Sequence, residues 1–190
     1  MSEFLVKLLA IFQNVNDWLR FAEAKNAALL AFSGTGMTAT LTVLATVQSL
    51  PVFLRFGLLL STALLCVCTL LCALSFIPKT NLEKLLWLRT QPAKKLHSSP
   101  ADNLYYFGDL RKYSSGELLN AINVHYFDGK IIQPYSKECC DIAAQITINS
   151  DIASLKFQAF TNAIYFLIAS ILSVPFLFLL LTSLVILRSL

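Results

Sequence analysis

The chain has 190 residues, of which 56% are hydrophobic and 14% are charged, and its formal net charge is +4. This composition excludes an ordinary soluble domain, because such domains are less apolar and more highly charged. It also argues against nucleic acid as a partner, since no run of basic residues carries interleaved aromatic side chains. The sequence therefore predicts a membrane protein.

The apolar pattern of residues 1–25 predicts an amphipathic cytosolic helix. Apolar residues recur there at helical spacing, at Phe4, Leu5, Leu8, Leu9, Phe12, Val15, Leu19 and Ala22. Nothing between Arg20 and Phe32 would stop a helix, so we expect it to continue into the first apolar stretch. The pattern leaves two placements open, because the apolar face could lie on the inner leaflet or pack on the polar region farther along the chain.

Three stretches contain no charged residue, namely 26–54, 56–78 and 157–187. About 20 residues at 1.5 Å per residue cross a hydrocarbon core, so each stretch is long enough to span a membrane. We expect a transmembrane hairpin in residues 26–78, with spans at about 27–48 and 55–77, and a third span in 157–188. The predicted fold is an all-α membrane protein with three transmembrane helices and a small helical cytosolic insert at 79–156.

The distribution of Lys and Arg predicts the orientation of these spans. Thirteen of the fifteen lie in residues 1–25 and 79–156, whereas Arg55 and Arg188 lie on the opposite side of the predicted spans. Because cytoplasmic loops are enriched in basic residues, we expect the N-terminus and the insert to be cytoplasmic and the C-terminus to be outside.

The first span is rich in small and hydroxyl residues, including Gly34, Gly36, Thr38 and Thr40. Small residues let helix backbones approach closely, and hydroxyl groups can form hydrogen bonds across the contact. Two interpretations remain open: this face packs on the second span of the hairpin, or it forms a homo-oligomer contact or lines a pore.

The insert at 79–156 is predicted to form a series of helices. Thr80 or Asn81 can cap a short helix that ends near Leu88. Ser114 and Glu117 fit a capping box that opens a helix to about Tyr126, and Asp128 with Gly129 then forms a turn. From residue 137 nothing breaks a helix before position 175, so one long helix is expected to run into the third span, with the proline at 175 as a possible kink.

Catalytic and metal-binding patterns are missing from the sequence. It contains no phosphate-binding loop, no dinucleotide fingerprint and no zinc-protease motif, and the spans carry no charged residue to serve a membrane enzyme. We therefore expect no enzymatic activity, no cofactor and no metal. One interpretation of the insert is a nucleotide pocket with rings for stacking and cations for phosphate, formed by Tyr105, Tyr106, Arg111, Lys112 and His125. The alternative is that the two cations form a solvated helix face and that the tyrosines belong to a small core.

Three segments together resemble the Pycsar membrane-effector family of bacterial antiphage defence. They are residues 18–30, which lead into the first span; residues 103–110 with 114–119; and residues 146–160, which include Asn149, Ser150 and Lys156 and lead into the last span. The resemblance covers most of the chain.

This resemblance implies a receptor-effector of the inner membrane. In that family a companion pyrimidine cyclase makes cyclic UMP or cyclic CMP after infection, and the effector responds by impairing membrane integrity. We expect the lipid bilayer and other copies of the chain as partners, because a chain with three spans can hardly enclose a conducting path alone. The alternative is a non-toxic membrane scaffold or anchor that recruits a partner through its cytosolic region.

Overall fold

A computed structural model describes residues 3–77 and 98–189, without side-chain detail for 181, 182 and 184–189. Within these ranges the structure is helical and has no strand. The helices are α1 (Glu3–Thr46), α2 (Val52–Leu74), α3 (Phe107–Leu110), α4 (Ser115–Phe127) and α5 (Lys137–Ser189). Three of them, α1, α2 and α5, are long and apolar enough to cross a membrane, which confirms the predicted fold class. The short helix predicted to end near Leu88 lies outside the described residues.

The chain divides into two compact units. The polar unit comprises Met1–Glu23 and Ile77–Phe157, and the span unit comprises Ala24–Phe76 and Gln158–Leu190. Helices α1 and α5 each contribute residues to both units, because each is one uninterrupted helix. The expectation that the N-terminal helix continues into the first apolar stretch is thus confirmed.

Two prolines occupy different positions relative to these helices. Pro51 stands immediately before α2, where its backbone carbonyl accepts a hydrogen bond from the Arg55 amide. Its fixed φ suits the entry to a helix, where a missing N–H costs little. Pro175 instead lies inside α5, which continues beyond it to Ser189.

The core of the polar unit decides where the N-terminal part of α1 packs. The buried residues Phe4, Leu8, Ile11 and Val15 of α1 form one cluster with residues from 104–122 and from the start of α5. Each such side chain contributes about 1.5–3 kcal/mol when it leaves water. Of the two placements that the sequence leaves open, the structure shows this segment packed on the polar insert.

Helix α4 begins and ends as the sequence predicts. The Ser114 side chain accepts a hydrogen bond from the Glu117 amide, and the Glu117 carboxylate accepts one from the Ser114 amide, which completes a capping box. After Phe127, Asp128 adopts a left-handed conformation with φ 54° and Gly129 follows with φ 73°. Aspartate and glycine are residues that tolerate the positive φ that this turn requires.

The span unit has a small core and several hydrogen bonds between helices. Leu29 of α1, Cys68 and Cys72 of α2 and Ala163 of α5 are buried together. Hydroxyl side chains also pair across the helices: Thr62 donates to Thr40 at 2.8 Å, Thr69 donates to Ser33 at 3.0 Å, and Ser61 is hydrogen-bonded to Ser170 at 2.8 Å. Because hydrocarbon offers no competing water, such bonds help to fix which faces of the helices meet.

Candidate functional site

Within the polar unit, α1 and α5 run parallel and pair in register. Asn149 Nδ2 donates a hydrogen bond to Asn16 Oδ1 at 2.9 Å, and Lys156 Nζ donates one to Glu23 Oε1 at 2.9 Å. Both pairs join residues that are 133 positions apart. An advance of seven residues on one helix therefore matches an advance of seven on the other, which is the repeat of a parallel coiled coil.

Burial on the two helices follows the same repeat. On α1 the fully buried residues include Leu8, Val15 and Ala22, seven apart, and on α5 the steps alternate between four and three through Cys139, Ala143, Ile146, Ser150 and Ala153. Toward the end of the polar unit these buried residues become small. Small residues bury little apolar area, so the polar pairs carry more of the preference for this register. The hydroxyl of Ser150 is buried and has no hydrogen-bond partner among the described residues.

The loop before α4 is held by Lys112. Its Nζ donates to Asp102 at 2.7 Å and to Asp109 at 2.6 Å, and only 19% of its side chain is exposed. Tyr113 donates its hydroxyl proton to the Ser99 carbonyl at 3.1 Å or to Asp102 at 3.2 Å. The Lys112 ammonium thus links Asp102, near the start of the segment 99–113, to Asp109, near its end.

These contacts shift three pKa values. Burial by itself raises the pKa of Asp102, but hydrogen bonds from Lys112, the Ser99 amide and Tyr113 outweigh burial and lower that pKa below its ordinary value. The same carboxylates, Asp102 first and Asp109 second, raise the pKa of Lys112 through their hydrogen bonds. Burial and the neighbouring Asp102 raise the pKa of Tyr113 to about 12. All three groups therefore keep their charge states across the physiological range.

Arg111 connects this loop to α5. Its guanidinium lies 3.9 Å from Asp151 Oδ1 and donates a hydrogen bond to the hydroxyl of Ser154. Both acceptors lie on the part of α5 that pairs with α1 between Asn149 and Lys156. The Arg111 side chain is 28% exposed, so solvent and solutes can reach it.

Tyr105, in the same loop, lies against the N-terminal part of α1. Lys7 places its ammonium 5.3 Å from the centre of the Tyr105 ring and 4.5 Å from the centre of the Tyr126 ring. The Asn14 amide donates a hydrogen bond to the Tyr105 carbonyl. A hydrogen bond with Tyr105 raises the pKa of Lys7 above its ordinary value, so this lysine stays charged. Such cation–π contacts contribute about 0.5–1 kcal/mol at exposed positions.

His125 lines a different surface from the other predicted residues. It is exposed on α4 and borders an open groove of about 280 Å³. The other lining residues are Ser98, Ser99, Pro100, Tyr113, Glu117, Asn120, Ala121 and Val124. The Glu117 carboxylate in this lining makes the groove a poor fit for a phosphate, because like charges repel.

The structure therefore places the five predicted ligand residues in separate surroundings. Arg111 contacts α5, Lys112 is held by two carboxylates, Tyr105 lies by Lys7, Tyr106 is exposed and His125 borders the groove. Their role in binding stays a prediction. Sequence reasoning missed the partners Asp102, Asp109 and Asp151. Only the spacing of Asp109 and Lys112, three residues apart, signals one of these ion pairs in advance.

In the span unit, the four small residues of the first span fall on two faces. A side chain at Gly36 would meet Leu65 of α2 at 3.3 Å, and Thr40 accepts the hydrogen bond from Thr62 of α2. A side chain at Gly34 would meet nothing within 4 Å, and Thr38 is exposed with its hydroxyl bonded to the Gly34 carbonyl at 3.0 Å. Packing within the hairpin thus accounts for Gly36 and Thr40. Gly34 and Thr38 face away from it.

These features define a three-span helical membrane protein whose polar unit contains a pair of parallel helices. The sequence model of the family described as PycTM, the Pycsar effector protein domain, matches residues 7–184. The chain therefore belongs to the Pycsar effector family, which acts in antiphage defence.

One relative is similar over most of its length. The Pycsar effector protein RsPycTM of a Rhizobium species is 29% identical over 147 residues, which cover 77% of this chain and 78% of the relative. No solved structure matches the chain. Family membership associates the protein with a membrane and links its function to a cyclase.

Proposed function

We propose that this protein is a non-enzymatic membrane effector that responds to a cyclic pyrimidine nucleotide by impairing the integrity of the bacterial inner membrane. The observation that carries this proposal is the family match over residues 7–184, in a chain with three helices able to span a membrane. The nucleotide is cyclic UMP or cyclic CMP, made by the companion cyclase, and the polar unit lies in the cytoplasm where that messenger is produced.

A response needs two arrangements of the protein between which the ligand discriminates. Helices α1 and α5 supply residues to both units, so a change in how they pair within the polar unit alters the same helices that enter the membrane. Toward the end of the polar unit, beyond Val15 and Ile146, the register of this pairing rests on small buried residues and on two polar pairs, Asn16 with Asn149 and Glu23 with Lys156. When such a contact rearranges, less apolar area is exposed to water than when a leucine-rich contact does.

Arg111 is the predicted ligand residue best suited to start this change. Its guanidinium holds Asp151 and Ser154 of α5, and a nucleotide phosphate is a stronger bidentate acceptor than a carboxylate 3.9 Å away. A phosphate that takes over the guanidinium would release this part of α5.

Membrane damage requires more than one copy of the chain. Three spans can hardly enclose a conducting path, so we propose a homo-oligomer formed through the face that carries Gly34 and Thr38. This face points away from the hairpin contact, and it offers a side-chain-free position where another helix can approach.

The deciding experiment measures dye entry and membrane potential in cells that express this chain with and without an active pyrimidine cyclase. We expect depolarisation only when both are present. The Arg111→Ala variant removes the tie to α5 together with the nucleotide contact, so its depolarisation should no longer depend on the cyclase. Lys130→Ala, which removes an exposed cation paired with Asp128, should keep that dependence. Intact membranes with the protein confirmed in the inner membrane would refute the proposal in favour of a scaffold.

A further inference from the structure

Five aromatic side chains of the polar unit form one cluster. Phe107 and Phe157 stack with ring centres 5.0 Å apart and planes inclined by 13°. Trp18 lies 5.6 Å from Phe107 and 6.1 Å from Phe157, and Phe21 lies 6.3 Å from both Trp18 and Phe157. Tyr106 extends the cluster at 4.7 Å from Phe107. The cluster therefore combines residues from α1, from α5 and from the loop that contains α3.

The loop residues reach this cluster through a close approach at Gly108. A β-carbon at this position would clash with Cε1 and Cζ of the Tyr106 ring. Only glycine lets the ring lie against the backbone in this way. The arrangement leaves Phe107 buried and directs Tyr106 to the surface, where 44% of it is exposed.

The position of the cluster in the sequence indicates what it contacts. Phe157 is the first residue of the third charge-free stretch, and Phe21 stands five residues before the first one. Phe21 is 48% exposed, and its neighbour Arg20 has a side chain that is 76% exposed, within 4.0 Å of Asp17. Aromatic rings with adjacent basic residues are typical of the level at which a helix enters the lipid headgroups.

We propose that the aromatic cluster is a docking surface for the headgroup layer of the bilayer, and that the loop at 105–108 touches lipid through Tyr106. The occupant is the bilayer because the cluster is continuous along α1 and α5 with the stretches that cross it. Through this contact the loop at 105–108, which is far from every span in the sequence, would lie at the membrane surface. This contact with lipid does not depend on a bound nucleotide.

The test uses tryptophan fluorescence in vesicles whose lipids are brominated close to the headgroup. The chain has two tryptophans, so the background is the Trp18→Phe, Trp87→Phe variant of the full chain. Into it we place a single reporter by Tyr106→Trp, or by Tyr126→Trp as the matched control. Tyr126 is 40% exposed and lies by Lys7, which precedes Trp18 by eleven residues, or about 16 Å along α1.

We expect the reporter at position 106 to lose emission in brominated vesicles relative to unbrominated ones, and the reporter at position 126 to keep it. Equal emission in both lipids at position 106 would overturn the proposal. If Tyr106→Trp disturbs the helical content measured by circular dichroism, the single variant Trp87→Phe carries the test. Its remaining Trp18 belongs to the cluster, and unquenched emission from it would overturn the proposal equally.

Discussion

Lys156 of α5 donates a hydrogen bond to Glu23 of α1 across 2.9 Å, although only 14% of the lysine side chain is exposed. The Asn16–Asn149 pair stands seven residues earlier on both helices. Two successive polar pairs with the same sequence separation make the parallel register of α1 and α5 specific, because a slip of either helix would break both at once.

The first prediction concerns the free energy of this ion pair. In a double-mutant cycle of Glu23→Gln and Lys156→Gln, we expect a coupling energy of about 0.5–1 kcal/mol, since Glu23 is 46% exposed and solvent screens the attraction. Chemical denaturation of the purified protein in detergent measures it. The control cycle uses Lys137 and Asp141, whose side chains are 87% and 62% exposed, and should give a coupling near zero. Equal coupling in the two cycles would contradict the proposed role of the Glu23 pair.

The second prediction concerns pH. Because the folded state lowers the pKa of Asp102 below its ordinary 3.8, this carboxylate stabilises the fold at pH values above 3.8. The contribution is lost as the pH falls from there through the lowered folded-state pKa. The raised pKa of Lys112 adds nothing to this acid loss, since its contribution disappears only when the pH rises above the ordinary value of 10.5.

Thermal unfolding of the polar unit, followed at several acidic pH values, tests this dependence. The Asp102→Asn variant should be less stable at neutral pH and should lose less stability on acidification than the native chain. Asp128→Asn, which changes the same charge at a position 81% exposed, should leave the acid dependence as it is. An unaltered pH profile in Asp102→Asn would show that other carboxylates dominate the acid response.

The third prediction concerns a buried amide. Asn123 is only 3% exposed; its Nδ2 donates to the Ile131 carbonyl at 3.0 Å and to the Tyr135 hydroxyl at 3.2 Å, and its Oδ1 accepts from the Ile131 amide at 3.1 Å. The Asn123→Ala change leaves these partners unsatisfied, so we expect a loss of about 1–3 kcal/mol in the free energy of unfolding. Asn120→Ala, at an exposed position on the same helix, should cost far less.

The fourth prediction separates the two faces of the first span. Gly36→Leu should destabilise the hairpin, because its side chain would have to displace Leu65 of α2 from 3.3 Å. Gly34→Leu should leave the thermal stability of the purified protein unchanged, since nothing lies within 4 Å of that position. If the Gly34 face joins copies of the chain, Gly34→Leu should also reduce cross-linked oligomers and dye entry. Unchanged oligomers in a stable Gly34→Leu protein would exclude that face.

Local sequence signals were sufficient for most of the helix boundaries. The Ser114 capping box, the turn at Asp128 and Gly129 and the unbroken run from Lys137 each depend on neighbours within a few residues, so the pattern alone indicates them. The charge-free stretches likewise indicate three spans, because the length of a helix that crosses a bilayer is set by the thickness of the hydrocarbon.

The sequence by itself determined the class of protein, its helices and its family resemblance. Only the tertiary structure decided that the N-terminal helix packs on the polar insert, that Lys112 is held by Asp102 and Asp109, and that Gly34 and Gly36 face different ways. The reason is physical: a helix pattern shows that an apolar or small-residue face exists but not what covers it. The partners of Glu23 and Asn16 lie 133 residues along the chain, and a separation of that size leaves no periodic trace in the sequence.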